Sequence, residues 1–180
     1  MNKQKAITII FSVLFTLFLL LLSYKIILST TDFTPKQQAW LDYFEGGDLP
    51  EGYEENEVSH MNDVKEVMKG TKYALYALLL LVTLVLTYYK KERNRQKELI
   101  YSGSIHSLIF VGLIFIFSLF AFTTSFTLFH NIFFPQGNWL FPPSSLLIQT
   151  WPLEFFNKIA FQILGLNLII VLLLKKYTKK

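Results

Sequence analysis

The 180-residue chain is 52% hydrophobic and 17% aromatic, and its apolar residues fall in long runs, which excludes an ordinary soluble domain. It contains no cysteine, so disulfides, thiolate metal sites, a cysteine nucleophile and lipidation on cysteine are excluded too. No glycine-rich phosphate loop, HExxH pair or dinucleotide fingerprint is present. The net charge of +4 is less informative than the positions of the charges.

Four apolar runs predict membrane-spanning helices. They lie at about 6–24, 73–89, 105–129 and 155–174. The first run follows Lys3 and Lys5, a pattern that a secretory signal peptide also shows. Because this run is longer than a usual signal core and no clean small-x-small cleavage pattern precedes Asp32, we favour an uncleaved first transmembrane helix.

The first long polar segment, 25–72, carries ten acidic and five basic residues, a local charge of −5. Thr34 followed by Pro35 predicts the N-cap and first residue of a short amphipathic helix. The sequence EVSHMNDVK at 57–65 predicts the start of a second helix, which leads into the 73–89 span. We expect Ser59 to be its N-cap, with Asp63 near the first turn, where the helix dipole favours acids.

The stretch FTLFHNIFFPQGNWLFPP at 126–143 has no Asp, Glu, Lys or Arg, and its prolines and glycine prevent a plain helix. Irregular backbone cannot lie exposed to lipid in a bilayer core, because its amide groups would remain unpaired. The stretch is therefore expected at a membrane surface, with its aromatic rings at headgroup depth. After it, Ser144 and Ser145 predict the N-cap of a short interfacial helix that runs to Trp151.

The distribution of basic residues predicts the orientation. The N-terminus, the 90–98 segment and the C-terminus, with Lys175, Lys176, Lys179 and Lys180, are basic, whereas 25–72 is acidic and 126–153 lacks Lys and Arg. We expect an all-α membrane protein with four transmembrane helices, both termini in the cytoplasm, and two extracytoplasmic loops packed at the outer membrane surface. It would be a single integral membrane domain over 1–180, with outer loops at about 25–72 and 130–154 and a cytoplasmic loop at about 90–104.

This topology separates the three histidines. His106 falls at the cytoplasmic start of the third span, whereas His60 and His130 both fall on the outer side, where consecutive spans would bring them together. We expect Asp63 to orient His60, and the nearby helix N-terminus to keep that imidazole neutral and able to act as a base. A metal site would need a third ligand, which Asp63 or Glu57 could supply. A hydrogen-bonded interfacial residue remains the alternative for each histidine.

The two histidine-bearing stretches resemble the bacterial lipoprotein intramolecular transacylase (Lit) family. The resemblance rests on EVSHMNDVK at 57–65, on FHNIFF at 129–134 with Gly137-Asn138-Trp139, and on the order and spacing of the four spans. It implies an enzyme of the bacterial cell membrane with its active site on the extracytoplasmic side. The reaction it implies moves the sn-2 acyl chain of a lipoprotein's S-diacylglyceryl group to the α-amine of the N-terminal cysteine, giving a lyso-form lipoprotein.

The resemblance also implies that the family's two functional histidines correspond to His60 and His130. We expect one of them to take the amine proton and the other to donate to the carbonyl or glycerol oxygen, with Asp63 in support. By position, the acyl-facing and substrate-binding residues would be Phe129, Asn131, Phe133, Phe134 and Trp139. Diacylglyceryl-modified lipoproteins and membrane phospholipid are the expected partners, and we expect no cofactor, no metal and no nucleic acid.

Three other readings compete with the transacylase. A non-enzymatic membrane assembly or partner-binding protein would make both histidines dispensable. A proton-coupled carrier is disfavoured because the spans lack Asp, Glu and Arg, and no repeat symmetry is apparent. A lipid-modifying metalloenzyme is limited by the small number of ligands.

Overall fold

A computed structural model describes residues 3–178, and all regular structure in that part of the chain is helical. The helices are α1 Lys3–Thr30, α2 Pro35–Phe44, α3 Glu55–Tyr88, α4 Arg93–Phe133, α5 Leu146–Thr150 and α6 Leu153–Thr178. Four of them, α1, α3, α4 and α6, are long and apolar enough to cross a membrane. The prediction of an all-α protein with four membrane-spanning helices is therefore confirmed. Of the basic residues expected at the cytoplasmic C-terminus, Lys179 and Lys180 lie outside the described residues.

The two longest helices extend well beyond the apolar runs within them. At 1.5 Å per residue, the 34 residues of α3 span about 51 Å, whereas a bilayer core is about 30 Å thick. Its apolar run begins only at Tyr73, so the N-terminal half of α3 projects out of the apolar layer. His60 lies in this projecting half, outside the membrane-spanning segment.

The membrane-embedded core is organised around α1, which packs against each of the other three spans. Buried side chains from all four spans form one cluster there: Phe11, Phe15, Leu19, Val82, Leu99 and Val171. Gly103 of α4 lies so close to α1 that a Cβ would be 2.6 Å from Phe15 Cδ1, so only glycine permits this approach. α3 packs mainly on α1, and α4 packs on α1 and α6, so α3 and α4 are neighbours through α1 rather than by a long mutual interface.

A second hydrophobic cluster forms a cap on the projecting end of α3. Its buried members are Trp40 of α2, Met61 of α3 and Leu147 of α5. The predicted Thr34 N-cap is confirmed, with its hydroxyl accepting from Gln37 N and Pro35 opening the helix. Ser145 likewise caps α5, whose five residues end at Thr150. We refer to α2, α5 and the N-terminal half of α3 as the cap.

The expectation that Ser59 is the N-cap of α3 is wrong. The helix begins one turn earlier, at Glu55, where Glu57 accepts a hydrogen bond from the backbone N–H of Glu54 at 2.8 Å. Acidic side chains in the first turn satisfy the free amides and suit the positive end of the helix dipole. His60 and Asp63 are therefore in the helix body rather than at its start.

Candidate active site

The structure brings His60 and His130 together at the boundary between the cap and the spans. His60 comes from the projecting half of α3 and His130 from the last turn of α4. Their ring centroids are 6.2 Å apart with an interplanar angle of 29°. Both are buried, with exposed fractions of 6% and 8%. Two titratable rings in so little water are costly unless neutral or specifically partnered.

Aromatic rings enclose the pair. Phe134 contacts both imidazoles, with its centroid 4.8 Å from His60 and 5.4 Å from His130. Trp139 lies 4.8 Å from His130, and Phe141 lies 5.7 Å from His60. Phe126, one turn before His130, is the nearest ring to it at 4.0 Å. Aromatic rings thus surround the paired imidazoles, and these surroundings suit the acyl region of a lipid better than a hydrophilic substrate.

The other predicted substrate residues are more peripheral. Phe129 lies 5.5 Å from His130 and packs against Phe133, and each of these phenylalanines is 45% exposed. Asn131 is exposed on the same turn of α4. Among the predicted substrate residues, Phe134 and Trp139 are therefore the ones most directly against the paired imidazoles. The contacts of Phe126 and Phe141 were not predicted, although their place in the same aromatic stretch was a usable signal.

A backbone hydrogen bond fixes the tautomer of His130. Its Nδ1 lies 2.9 Å from the carbonyl oxygen of Phe126, one helical turn back. A carbonyl only accepts, so Nδ1 must carry the proton and donate. Neutral His130 therefore presents a lone pair at Nε2, and the protonated ring would present an N–H there while the same carbonyl stabilises its charge.

His60 has no equivalent partner. Its Nδ1 is buried and forms no hydrogen bond within residues 3–178. Burial, and secondarily the neighbouring His130, lowers the pKa of His60 to about 4, against smaller opposing effects of Asn138 and Asp63. His60 is therefore neutral at physiological pH, as expected, but desolvation rather than a helix terminus is the cause.

Asp63 orients the loop after α4 rather than bonding directly to His60. Its Oδ2 accepts from Gln136 Nε2 at 2.8 Å and from Asn138 Nδ2 at 2.6 Å. Between these two residues Gly137 has a positive φ of 77°, a conformation that glycine adopts without strain. Asn138 and Gln136 were missed as site residues; their signal was the presence of two amides in an otherwise aromatic stretch.

Glu57 is a buried carboxylate that links two helices of the cap. It is 1% exposed, and its Oε1 accepts from the backbone N–H of Leu147 at 2.8 Å while Oε2 accepts from Glu54. This carboxylate joins the start of α3 to α5, one turn before His60. Its oxygens are thereby engaged, and across residues 3–178 no three His, Asp or Glu side chains are grouped as metal ligands would be.

The comparisons with known proteins agree on one family. A family model described as lipoprotein intramolecular transacylase Lit matches residues 48–156. A membrane-integral Lit structure from Bacillus cereus is similar at 23% identity, covering 97% of this chain and 95% of that one, with a TM-score of 0.82. Variants of that protein with a histidine replaced by arginine or by alanine have TM-scores of 0.73 and 0.75, each at 21% identity. They cover 97% and 98% of this chain and 91% and 92% of theirs. No curated protein sequence matches significantly.

The buried state of His60 predicts a pH dependence of stability. In the unfolded chain His60 takes up a proton near its ordinary pKa of 6.5, whereas in the folded protein burial lowers this pKa to about 4. Stability is thus present above pH 6.5 and is lost as the pH falls towards 4, because the unfolded state binds the proton first. Melting temperatures in detergent should fall more steeply over this interval for the wild type than for His60→Gln. Parallel curves for the two proteins would contradict the assignment.

Proposed function

The chain belongs to the lipoprotein intramolecular transacylase (Lit) family of acyltransferases, and on that premise we propose its reaction and its site. The proposed reaction transfers the sn-2 acyl chain of the S-diacylglyceryl group to the α-amine of the N-terminal cysteine of the same lipoprotein. The observation that carries the proposal is the pair of buried imidazoles 6.2 Å apart, within aromatic walls, at the end of the membrane spans. Such a site can take the lipidated end of a membrane-anchored substrate.

The chemistry needs proton handling and positioning more than a nucleophile. Donor ester and acceptor amine are in one molecule, so holding both in a reactive pose supplies much of the acceleration. The amine attacks the ester carbonyl directly, and no acyl-enzyme is required. A chain without cysteine is compatible with this route.

His60 and His130 divide the proton transfers. As the C–N bond forms, neutral His60 accepts a proton from the attacking nitrogen, because burial keeps its lone pair available at physiological pH. Burial lowers the pKa of His130, and the Phe126 carbonyl opposes this by favouring the charged form. The proton that His60 takes therefore passes to Nε2 of His130, which donates it to the glycerol oxygen as the C–O bond breaks. The proton that leaves nitrogen is the one that arrives at oxygen, and both rings end neutral.

We place the site on the outer side of the membrane. Basic residues dominate the 90–98 segment, whereas the cap carries the acidic 25–72 segment. The positive-inside rule then directs the cap and the histidine pair outward and both termini inward. Lipoproteins anchored in the outer leaflet would reach the site laterally from the bilayer.

The reaction is tested by the lipid structure of a reporter lipoprotein. Expressed in a host that makes diacylated lipoproteins, the protein should convert the reporter to an N-acylated form with one glycerol ester, identified by mass spectrometry. His60→Ala and His130→Ala should each reduce conversion by at least 100-fold, roughly the contribution of one acid–base group.

The matched control is His106→Ala. His106 is an exposed histidine of α4 that bonds to the Ser102 carbonyl, and it should be dispensable. A reporter that keeps both glycerol esters and a free amine, despite verified expression of the wild type, would refute the reaction. Full activity of both site variants would refute the site alone.

The outward orientation is tested by cysteine labelling, since the natural chain has no cysteine. Asn131→Cys, at an exposed position beside His130, should react in intact cells with a membrane-impermeant maleimide. Lys91→Cys, in the basic loop between α3 and α4, should react only after the membrane is permeabilised. The opposite pattern would reverse the orientation and place the site inside.

A further inference from the structure

Two buried polar atoms beside the histidine pair have no hydrogen-bond partner in the described part of the chain. One is His60 Nδ1 and the other is the side-chain oxygen of Asn138, Oδ1. The two side chains are neighbours: burial lowers the pKa of His60 most strongly, and the Asn138 side chain opposes this as a hydrogen-bonding group, although the geometry between the two atoms does not make a hydrogen bond. Native proteins pair nearly all buried polar atoms, so an unpaired set at a candidate active site points to a ligand that supplies the missing partner.

The orientation of the Asn138 amide is fixed by chemistry rather than by assignment. The carboxylate oxygen of Asp63 accepts this hydrogen bond, so the amide group that lies 2.6 Å from it is the NH₂. The oxygen of the same amide is thereby turned away from Asp63. Asn138 thus offers an acceptor, held in place by a charge-assisted hydrogen bond.

A pair of acceptors selects the chemical class of the ligand. If neutral His60 carries its proton on Nε2, it offers a lone pair at Nδ1, and Asn138 offers a carbonyl oxygen. A group that satisfies both at once must bring at least two N–H donors on one small centre. An amine does so, whereas an ester carbonyl or a thioether brings none.

We propose that Asn138 is a substrate-binding residue whose Oδ1 accepts a hydrogen bond from the substrate's α-amino group and holds that group against His60 Nδ1. This inference rests on the proposed function and adds the recognition of the acceptor amine to it. Asp63 does not contact the substrate in this proposal; it positions Asn138 by accepting a hydrogen bond from the Asn138 NH₂. The aromatic rings contact the acyl chains of the substrate, and the Asn138 amide binds the amino group at its N-terminus.

The test compares two lipopeptides that cannot react, so binding is measured apart from turnover. Both carry dialkyl ether groups in place of the glycerol esters; one has the free α-amine of cysteine, and the other has hydrogen in its place. With the full chain in lipid nanodiscs, calorimetry on the wild type should show about 100-fold tighter binding of the free-amine ligand, about tenfold for each of its two hydrogen bonds. Asn138→Ala should reduce this preference to about tenfold, the part that the bond to His60 supplies.

The matched control is Gln136→Ala, which removes the other hydrogen bond to the same Asp63 oxygen but leaves Asn138 in place. It should keep the full wild-type preference. Asn138→Leu, which keeps the branching of asparagine but has no polar side-chain atoms, gives the same test if Asn138→Ala folds poorly, as judged by its melting temperature.

Each outcome decides the proposal. Equal affinity of the wild type for both ligands overturns it, and so does a preference that is undiminished in Asn138→Ala. A variant that slows transfer but keeps the preference would mean that Asn138 only orients His60, which also overturns it. Failure of the proposed function is a different result: the wild type would then yield no N-acyl product from the reactive diester lipopeptide.

Discussion

The hydrogen bonds accepted by Asp63 close the site between two helices that share little interface in the membrane. α3 packs mainly on α1 and α4 packs on α1 and α6, so the ends of α3 and α4 at the cap must be brought together by something other than a long mutual interface. Asp63 does this from α3 by binding Gln136 and Asn138 in the loop after α4. Because Trp139 and Phe141 follow in the same loop, fixing its path also places the aromatic walls. Removing the carboxylate would therefore affect the geometry of the whole site.

Burial then determines the electrostatics of the pair. The rings of His60 and His130 are adjacent, so placing charge on both is unfavourable, and the low local dielectric increases that cost. The two rings are nevertheless unequal: a carbonyl accepts from His130, whereas His60 Nδ1 has no hydrogen-bond partner among residues 3–178. This asymmetry is what distinguishes a proton acceptor from a proton donor in the proposed reaction. Two identical solvated histidines would not be so distinguished.

The sequence predicted what depends on local composition. Apolar runs located the four spans, Thr34 and Pro35 marked the start of α2, and the expected position of two histidines at the same membrane surface predicted their meeting. It misplaced the start of α3, because Ser59 is a better isolated N-cap than the acidic residues that begin the helix. It also could not reveal what Asp63 binds, since Asn138 is 75 residues away and its approach depends on the tertiary path of the loop. The burial of Glu57 against α5 was hidden for the same reason.

The central claim is that one site moves an acyl chain within a single lipopeptide, and a crossover experiment tests it most directly. Purified protein would receive an equal mixture of two diacylated lipopeptides, one with deuterated acyl chains and a peptide of distinct mass. Mass spectrometry of the products should find each N-acyl group on the peptide that originally carried it. Deuterated acyl chains on the unlabelled peptide, in proportion to the mixture, would contradict intramolecular transfer at a paired-histidine site and require an acyl-enzyme or a second bound substrate.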